Sequence, residues 1–333
     1  MQLKIGIIGL GRIGKIHYNN IRYHIPGAEV AMVSDVDSNE LPDDVPQGDA
    51  DTLIGHPDVD AVVICSPTDT HANYVDQCAR QGKHVFCEKP LDLSLERIRE
   101  TLAVVRRHNI QLMLGFNRRF DANFMKLKAL VDEGKIGDVQ LVKITSRDPA
   151  PPSVDYLKSS GGLFLDMTIH DFDMARYVMG KEVKEVYAAA SVLTGGAVAE
   201  AGDIDTAVIT LKFEDGSMAV IDNSRKAVYG YDQRLEVFGS KGMAHVENNK
   251  PDTHVYYNKE GVTSALPLHF FMERYTTSYL TEMAAFIQSV QGKQPVPVGG
   301  VDGLKAAMLA VAAQQSVEQH APIKVAREGV RVS

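Results

Sequence analysis

The sequence predicts two domains: an α/β domain on a doubly wound parallel sheet over residues 1–118, then an α+β domain with a large, mostly antiparallel sheet over 119–333. Three observations carry this expectation. Short apolar runs alternate with helical patterns through the first third of the chain. That alternation gives way after Arg119 to longer stretches in which apolar and polar residues alternate. The chain, at 333 residues, is also too long for one ordinary core.

In order, the first third reads LKIGIIG, a helix at 12–24, EVAMVS, AVVICS at 61–66, a helix from about 71, HVFCEK, a helix at 94–108 and QLMLGF. Strand, crossover and strand repeated in this way call for a parallel sheet covered on both faces. The segment after Asp35, DSNELPDDVPQGDAD, carries Pro42 and Pro46, which would break any long helix there. Beyond Arg119 a helix at about 121–133 ends at Gly134. VQLVKITS, VKEVYAAAS, DTAVITLKF, SMAVIDNS and RLEVFGS then follow, several joined by glycine or Asp-Gly connections that favour antiparallel pairing. Alanine-rich helices at about 272–290 and 302–319 close the reading.

A formal charge of −8 argues against nucleic acid and anionic membrane surfaces as partners and favours a small soluble molecule. No apolar run approaches the roughly 20 residues that a bilayer needs, and the start MQLKIGIIGLG is too short for a signal segment, so a cytoplasmic location is expected. Cys65, Cys78 and Cys87 form no C-x-x-C, and the eleven histidines show no paired ligand spacing; no metal is expected.

Gly9, Gly11 and Gly14 form G-x-G-x-x-G straight after the first strand, with Arg12 and Ile13 opening the helix behind it. Glycines there permit a tight turn and let backbone N–H groups approach a pyrophosphate at a positive helix end. Asp35, followed by Val36, ends the second strand where a carboxylate would meet ribose hydroxyls, so a Rossmann domain binding NAD is expected. From Tyr23 through Ala79 there is no lysine or arginine, while Asp35, Asp37, Glu40, Asp43, Asp44, Asp49 and Asp51 crowd the same segment, which favours NAD over NADP. Ser66, Pro67, Thr68 and His71 lie at the carboxyl end of the third strand; they read as cofactor contacts, as a helix cap in which Thr68 or Thr70 caps, or as both.

In HVFCEKP, Pro90 stops the fourth strand and leaves Glu88 and Lys89 at its tip. A lysine there could stabilise alkoxide character in a substrate; it could also be a surface lysine, paired with Glu88. In GGLFLDMTIHDFDMARYV, Asp166 and His170 stand four apart, which on a helix puts a base and an orienting carboxylate on one face. A structural histidine fits the same spacing. Asn117 and Arg118 follow the fifth strand, and YGYDQR at 229–234 offers tyrosine hydroxyls beside Asp232, either as polyol contacts or as a tight turn between strands.

GLGRIG, the C-E-K-P tetrapeptide 87–90 and D-M-T-I-H together resemble the glucose-fructose oxidoreductase, inositol dehydrogenase and rhizopine catabolism family over nearly the whole chain. The downstream stretches GGLFLDMTIHDFDMARY and DNSRKAVYGYDQRLEVFGSKG resemble its inositol-oxidising branch most. The resemblance implies NAD-dependent oxidation of a cyclitol, with scyllo-inositol, D-chiro-inositol or a pyranose sugar as alternative substrates. It puts the catalytic set on Lys89, Asp166 and His170, adds Glu88 and Lys89 to the cofactor contacts, and puts inositol contacts on Asn117, Arg118, Asp148, Met167 and Tyr231. It further implies a homotetramer.

Overall fold

The computed structural model describes residues 2–37 and 42–326, so Glu40 lies outside the described residues. The chain divides into two compact units. One holds the residues up to Phe120 together with Thr277–Ala307; the other holds Asp121–Thr276 and the chain from Met308 onward.

In the first unit, β1 (Leu3–Ile8), β2 (Ala28–Ser34), β3 (Ala61–Ile64), β4 (His84–Cys87) and β5 (Leu112–Leu114) form a sheet of order β2-β1-β3-β4-β5. Every pair is parallel. The chain leaves β1 in one direction to β2 and resumes on its other side at β3, so the switch point falls between β1 and β3, where open α/β sheets place their ligands. The expected crossovers are α1 (Arg12–Tyr23), α3 (Thr68–Arg80) and α4 (Leu95–His108). Between them lies a six-residue helix, α2 (Ala50–Gly55), started by Asp49 Oδ1 accepting from the Thr52 amide at 2.7 Å. Six residues are too few for a helical period to show in the sequence.

The division at Phe120 lies two residues from the expected boundary, but the closing helices do not stay with the second unit as the sequence reading has them. α10 (Thr276–Val290) and the start of α11 (Gly300–Gln319) belong to the first. The cause is packing. Phe286 meets Phe86 of β4 edge-on at 5.7 Å, Tyr279 meets His17 at 5.8 Å, and Gly303 presses so closely on Leu114 that a Cβ would sit 2.2 Å from it.

The second unit is built on seven strands: β6 (Val139–Arg147), β7 (Val183–Ser191), β8 (Thr206–Phe213), β9 (Met218–Ser224), β10 (Asp232–Gly239), β11 (Gly242–Val246) and the short β14 (Ile323–Lys324). Their order is β11-β10-β6-β9-β8-β7-β14, antiparallel except for the β6–β9 pair. Along each long strand buried and accessible residues alternate, so one face meets the core and the other is open. Tyr187, Val208, Met218, Phe238 and Met243 on these strands are exposed. α5 (Ala122–Asp132), begun by Asp121 accepting from the Asn123 and Phe124 amides, packs with α7 (Ile169–Met179), which rests on β6. Outside the sequence expectation lie β11, β14, α6 (Val154–Ser159), α8 (Ala197–Ala201) and a two-stranded hairpin of β12 (Val255–Asn258) and β13 (Gly261–Ser264), and the single turn α9 (Phe271–Arg274) stands apart from α10.

Candidate active site

The two units are described in turn. In the first, the glycine loop is shaped by contacts that exclude side chains at two of its three positions. Gly9 has φ +91°, and a Cβ there would lie 2.6 Å from the Ser66 nitrogen; a Cβ on Gly14 would lie 1.9 Å from the Gly9 carbonyl oxygen. Gly11 differs, since nothing lies within 4 Å of its Cβ position. It is also the N-cap of α1, which has neither a side-chain cap nor an acidic residue in its first turn. Unfilled space in front of uncapped amides suits an anion.

Asp35 closes the far side of the loop. One carboxylate oxygen accepts from the Leu10 amide and the other from the Asp37 amide at 2.9 Å, which fixes its direction and leaves lone pairs for further donors. Val36 beside it is fully exposed. The cation-free stretch read from the sequence has a neighbour in space: the Arg22 guanidinium pairs with Asp44 and lies over the Tyr18 and Tyr23 rings.

At the end of β3 the cap expectation is corrected. α3 starts at Thr68 with Pro67 as N-cap and no side-chain cap bond; the Thr70 hydroxyl instead donates to the Pro67 carbonyl at 2.7 Å and lies 2.6 Å from the Ser66 hydroxyl. His71, expected at the cofactor, is 2% exposed, with Nδ1 2.8 Å from the Pro90 carbonyl and Nε2 2.8 Å from the Ser66 carbonyl. Its place is a tie between the β3 and β4 loops rather than a face toward a ligand.

Lys89 is half-buried directly after β4, next to a cis Lys89–Pro90 bond. Glu88 turns inward, its Oε1 3.0 Å from His17 Nε2, and a Cβ on Gly115 would sit 2.8 Å from its other oxygen. The same histidine nitrogen lies 4.0 Å from a carboxylate oxygen of Glu282 on α10. Glu282 is fully buried, and neither of its oxygens has a hydrogen-bond partner among the described residues. Sequence reading missed this cluster, because its members come from three distant elements. His17, Cys65 and Glu88 bring ligand-type atoms within 4.8 Å of one another. Burial, then the Glu88 carboxylate, pushes the Cys65 thiol well above its ordinary value, so at neutral pH the sulfur remains a weakly coordinating thiol.

Burial, and then the charge of Glu88, also pushes the Glu282 carboxyl well above the usual carboxylate range. The folded state therefore keeps a proton that the unfolded chain releases. Its stabilising contribution is fully present below the unfolded value of 4.5 and is lost as pH rises toward the folded one. Glu282→Gln, a neutral isostere, should flatten the fall in Tm between pH 5 and 8 and raise Tm at the alkaline end by on the order of several degrees. Superimposable melting profiles for the two proteins would show that Glu282 ionises freely. Asn117 and Arg118 complete the first unit's candidates on a 3₁₀ turn after β5, both nearly buried at 4% and 5% exposure.

In the second unit the stretch around Asp166 is not a continuous α-helix. Residues Phe164–Thr168 form a π-helical turn, and α7 begins only at Ile169. Such turns widen the spacing and cluster at functional sites. The turn is pinned by Thr168, whose hydroxyl donates to Asn223 Oδ1 at 2.6 Å, and by Asp171, which accepts from Asn223 Nδ2 at 2.9 Å. Asp171, flanking the candidate pair, is thereby spent on structure, while His170 stays half-buried at the head of α7.

Asp166 is held from two sides by residues absent from the sequence reading. Tyr156 of α6 donates its hydroxyl to Oδ1 at 2.8 Å, and Arg225 Nη1 donates to Oδ2 at 3.1 Å. Arg225 is wholly buried and also faces Asp203 at 3.5 Å; Asp203 in turn accepts from the Leu163 amide at 3.1 Å. A conspicuous sign was the Ser-x-x-Tyr start of α6, but nothing local links it to residue 166. Of the remaining candidates, Asp148 is half-buried at the end of β6, whereas Met167 and Tyr231 are each 5% exposed. Tyr231 packs edge-on against Tyr275 at 5.9 Å. The neighbouring Tyr229 is absorbed by structure: it donates to Asp232 at 2.6 Å and accepts from Arg147 at 3.1 Å.

Residues 3–116 match the family described as "Oxidoreductase family, NAD-binding Rossmann fold", and residues 124–245 match "GFO/IDH/MocA C-terminal domain". The chain is 48% identical over 330 residues to the myo-inositol 2-dehydrogenase of Thermotoga maritima, covering 97% of this chain and 98% of that one. It is 45% identical to an inositol 2-dehydrogenase of Rhizobium meliloti, covering 98% and 100%. A crystal structure of scyllo-inositol dehydrogenase from Lactobacillus casei with NAD(H) and scyllo-inositol superposes with a TM-score of 0.90 at 36% identity, covering 98% and 99%.

Proposed function

Because the chain belongs to the GFO/IDH/MocA oxidoreductase family, we propose that it oxidises myo-inositol at C2 to the inosose with NAD as acceptor. The observation that carries the reading is full-chain similarity to inositol 2-dehydrogenases in a chain whose first unit keeps a glycine loop open at Gly11 beside Asp35 and whose second unit holds the Asp166 carboxylate between Tyr156 and Arg225. NAD fits the first unit. Gly11 and the α1 amides would hold the pyrophosphate and Asp35 the adenosine ribose, with Arg12, Ile13, Val36, Ser66, Pro67 and Thr68 around them. Bound NAD supplies the two-electron hydride acceptor that no side chain offers.

The protein's own groups handle the proton and the charge. His170 accepts the hydroxyl proton as the C–H hydride departs, which leaves a ketone and an imidazolium. Lys89 stabilises the negative charge that builds on the oxygen, and Asp166, fixed by Tyr156 and Arg225, holds the imidazole or a second hydroxyl in register. Asn117, Arg118, Asp148, Met167 and Tyr231 are assigned to the cyclitol. A panel of myo-, scyllo- and D-chiro-inositol and glucose, followed at NADH absorbance, tests the assignment: fastest turnover should come with myo-inositol, and preference for glucose would reject it.

The cofactor preference follows from charge. A 2′-phosphate near Asp35 would lose a ribose donor and bring like charges within a few ångströms, costing on the order of several kcal/mol where partly desolvated. Arg22, the nearest cation by sequence, is already paired with Asp44. We expect kcat/KM to favour NAD over NADP by about 10²-fold or more, or ~2.7 kcal/mol. Asp35→Ser with Val36→Arg should narrow that ratio; equal efficiencies in the unmodified enzyme would refute the argument. No described helix is long and apolar enough to cross a membrane, and we assign the enzyme to the cytoplasm, where fractionation should find it. The exposed apolar residues on the open sheet face support assembly through that face, and the homotetramer we assign is decided by a light-scattering mass.

A further inference from the structure

We propose that Tyr156 is a further residue of the substrate site, its hydroxyl positioning Asp166 and its exposed ring face receiving the C–H face of a cyclitol; this rests on the function proposed above. The two ends of the side chain have different surroundings. Tyr156 as a whole is 48% exposed, and its hydroxyl donates to Asp166 Oδ1 at 2.8 Å. Burial of that hydroxyl, then the Asp166 charge, raises its pKa, with Asp148 adding to the effect, so the phenol remains a donor throughout the working range. Asp148 and Asp166 thus both lie within electrostatic reach of one ring that water can still touch.

An aromatic face beside the Asp166 carboxylate, with Asp148 near enough to act on it electrostatically, suits a cyclitol better than it suits most small molecules. The hydroxyl groups of a chair-shaped ring point outward toward acceptors, while its axial C–H bonds present an apolar face that packs on an aromatic plane. The backbone places the ring firmly. Ser153 caps α6 by accepting from the Tyr156 amide at 3.4 Å, so the tyrosine stands in the first turn of a six-residue helix. Arg225 completes the clamp from beneath. It is wholly buried, it donates to the other Asp166 oxygen at 3.1 Å, and its Nε has no hydrogen-bond partner among the described residues. A buried guanidinium of this kind holds Asp166 in place from the interior, whereas the Tyr156 side chain donates from the solvent side.

Two substitutions separate the hydroxyl from the ring. Tyr156→Phe keeps the aromatic face and removes one donor to Asp166: kcat should fall about 10-fold, KM for the cyclitol should stay within about 3-fold, and the acidic limb of kcat/KM should move to higher pH, because a carboxylate with one donor fewer stabilises the His170 imidazolium more strongly. Tyr156→Leu removes the face as well, and KM should rise by about 10-fold or more. NADH affinity, read by its fluorescence, and Tm should be nearly unchanged in both. A merely structural tyrosine would give both variants the same loss, carried by Tm, and that result overturns the inference. A wild type that oxidises the cyclitol, with no KM-against-kcat split between the variants, overturns this inference alone; a wild type that oxidises no polyol overturns the functional reading and this inference with it.

Discussion

His170→Asn should lower kcat by roughly 10²-fold or more while leaving NADH affinity nearly intact, since asparagine keeps the size and one donor of imidazole but cannot accept the hydroxyl proton. The fold should tolerate the change. The π-turn before α7 is held by Thr168 and Asp171 on Asn223, so the melting temperature serves as a control. The pH profile supplies a second signature. For the wild type, kcat/KM should rise from the acidic side as the imidazole loses its proton, and this limb should disappear in the variant. Turnover within a few-fold of wild type would remove His170 from the role of base.

Lys89→Met should act on kcat, with about 2–4 kcal/mol added to the barrier, since a cation facing a developing alkoxide matters more in the transition state than in the ground state. Methionine keeps most of the stem's length and apolar character. The tip of β4 is independently anchored: the Glu88 amide donates to the Ile64 carbonyl at 3.0 Å, and His71 ties the Pro90 carbonyl to the β3 loop. Loss of the ammonium should therefore leave the strand end in place, and NADH affinity should change little. An effect confined to KM would reduce Lys89 to a binding contact. The size of the kcat change separates it from Tyr156→Phe, where a neutral hydrogen bond to a neighbouring group is removed rather than a charge.

The parallel sheet was legible because each of its strands is a short, mostly apolar run with helical patterns between them, and such local signals survive whatever the rest of the chain does. The alternation in β6 to β9 was legible for the same reason. What escaped are features decided at a distance. Glu282 reads as a surface acid on an amphipathic helix until α10 is laid against His17 and Phe86. Arg225 reads as a loop cation until the fold encloses it between Asp166 and Asp203. The capping role read for Thr68 or Thr70 failed for the opposite reason: such side chains suit many partners, and the Thr70 hydroxyl went to the Pro67 carbonyl, just as the His71 ring went to the carbonyls of Ser66 and Pro90. Tyr229 and Tyr231 lie two apart, yet one enters an ion network and the other an aromatic pair.

The first unit is assembled from two stretches far apart in the chain, and this sets an order of events during synthesis. Its sheet is complete once Leu114 has been made, but α10, which brings Glu282 to His17 and Phe286 to Phe86, comes only after the intervening residues 121–276. At ordinary elongation rates of roughly 5–20 residues per second, that interval lasts on the order of 10–30 s. For that time a nascent chain carries the glycine loop and the Lys89 strand end with the flank of Phe86 still wet, a surface suited to a ribosome-associated chaperone. Cofactor capture by the growing chain should accordingly begin late, once α10 has left the exit tunnel.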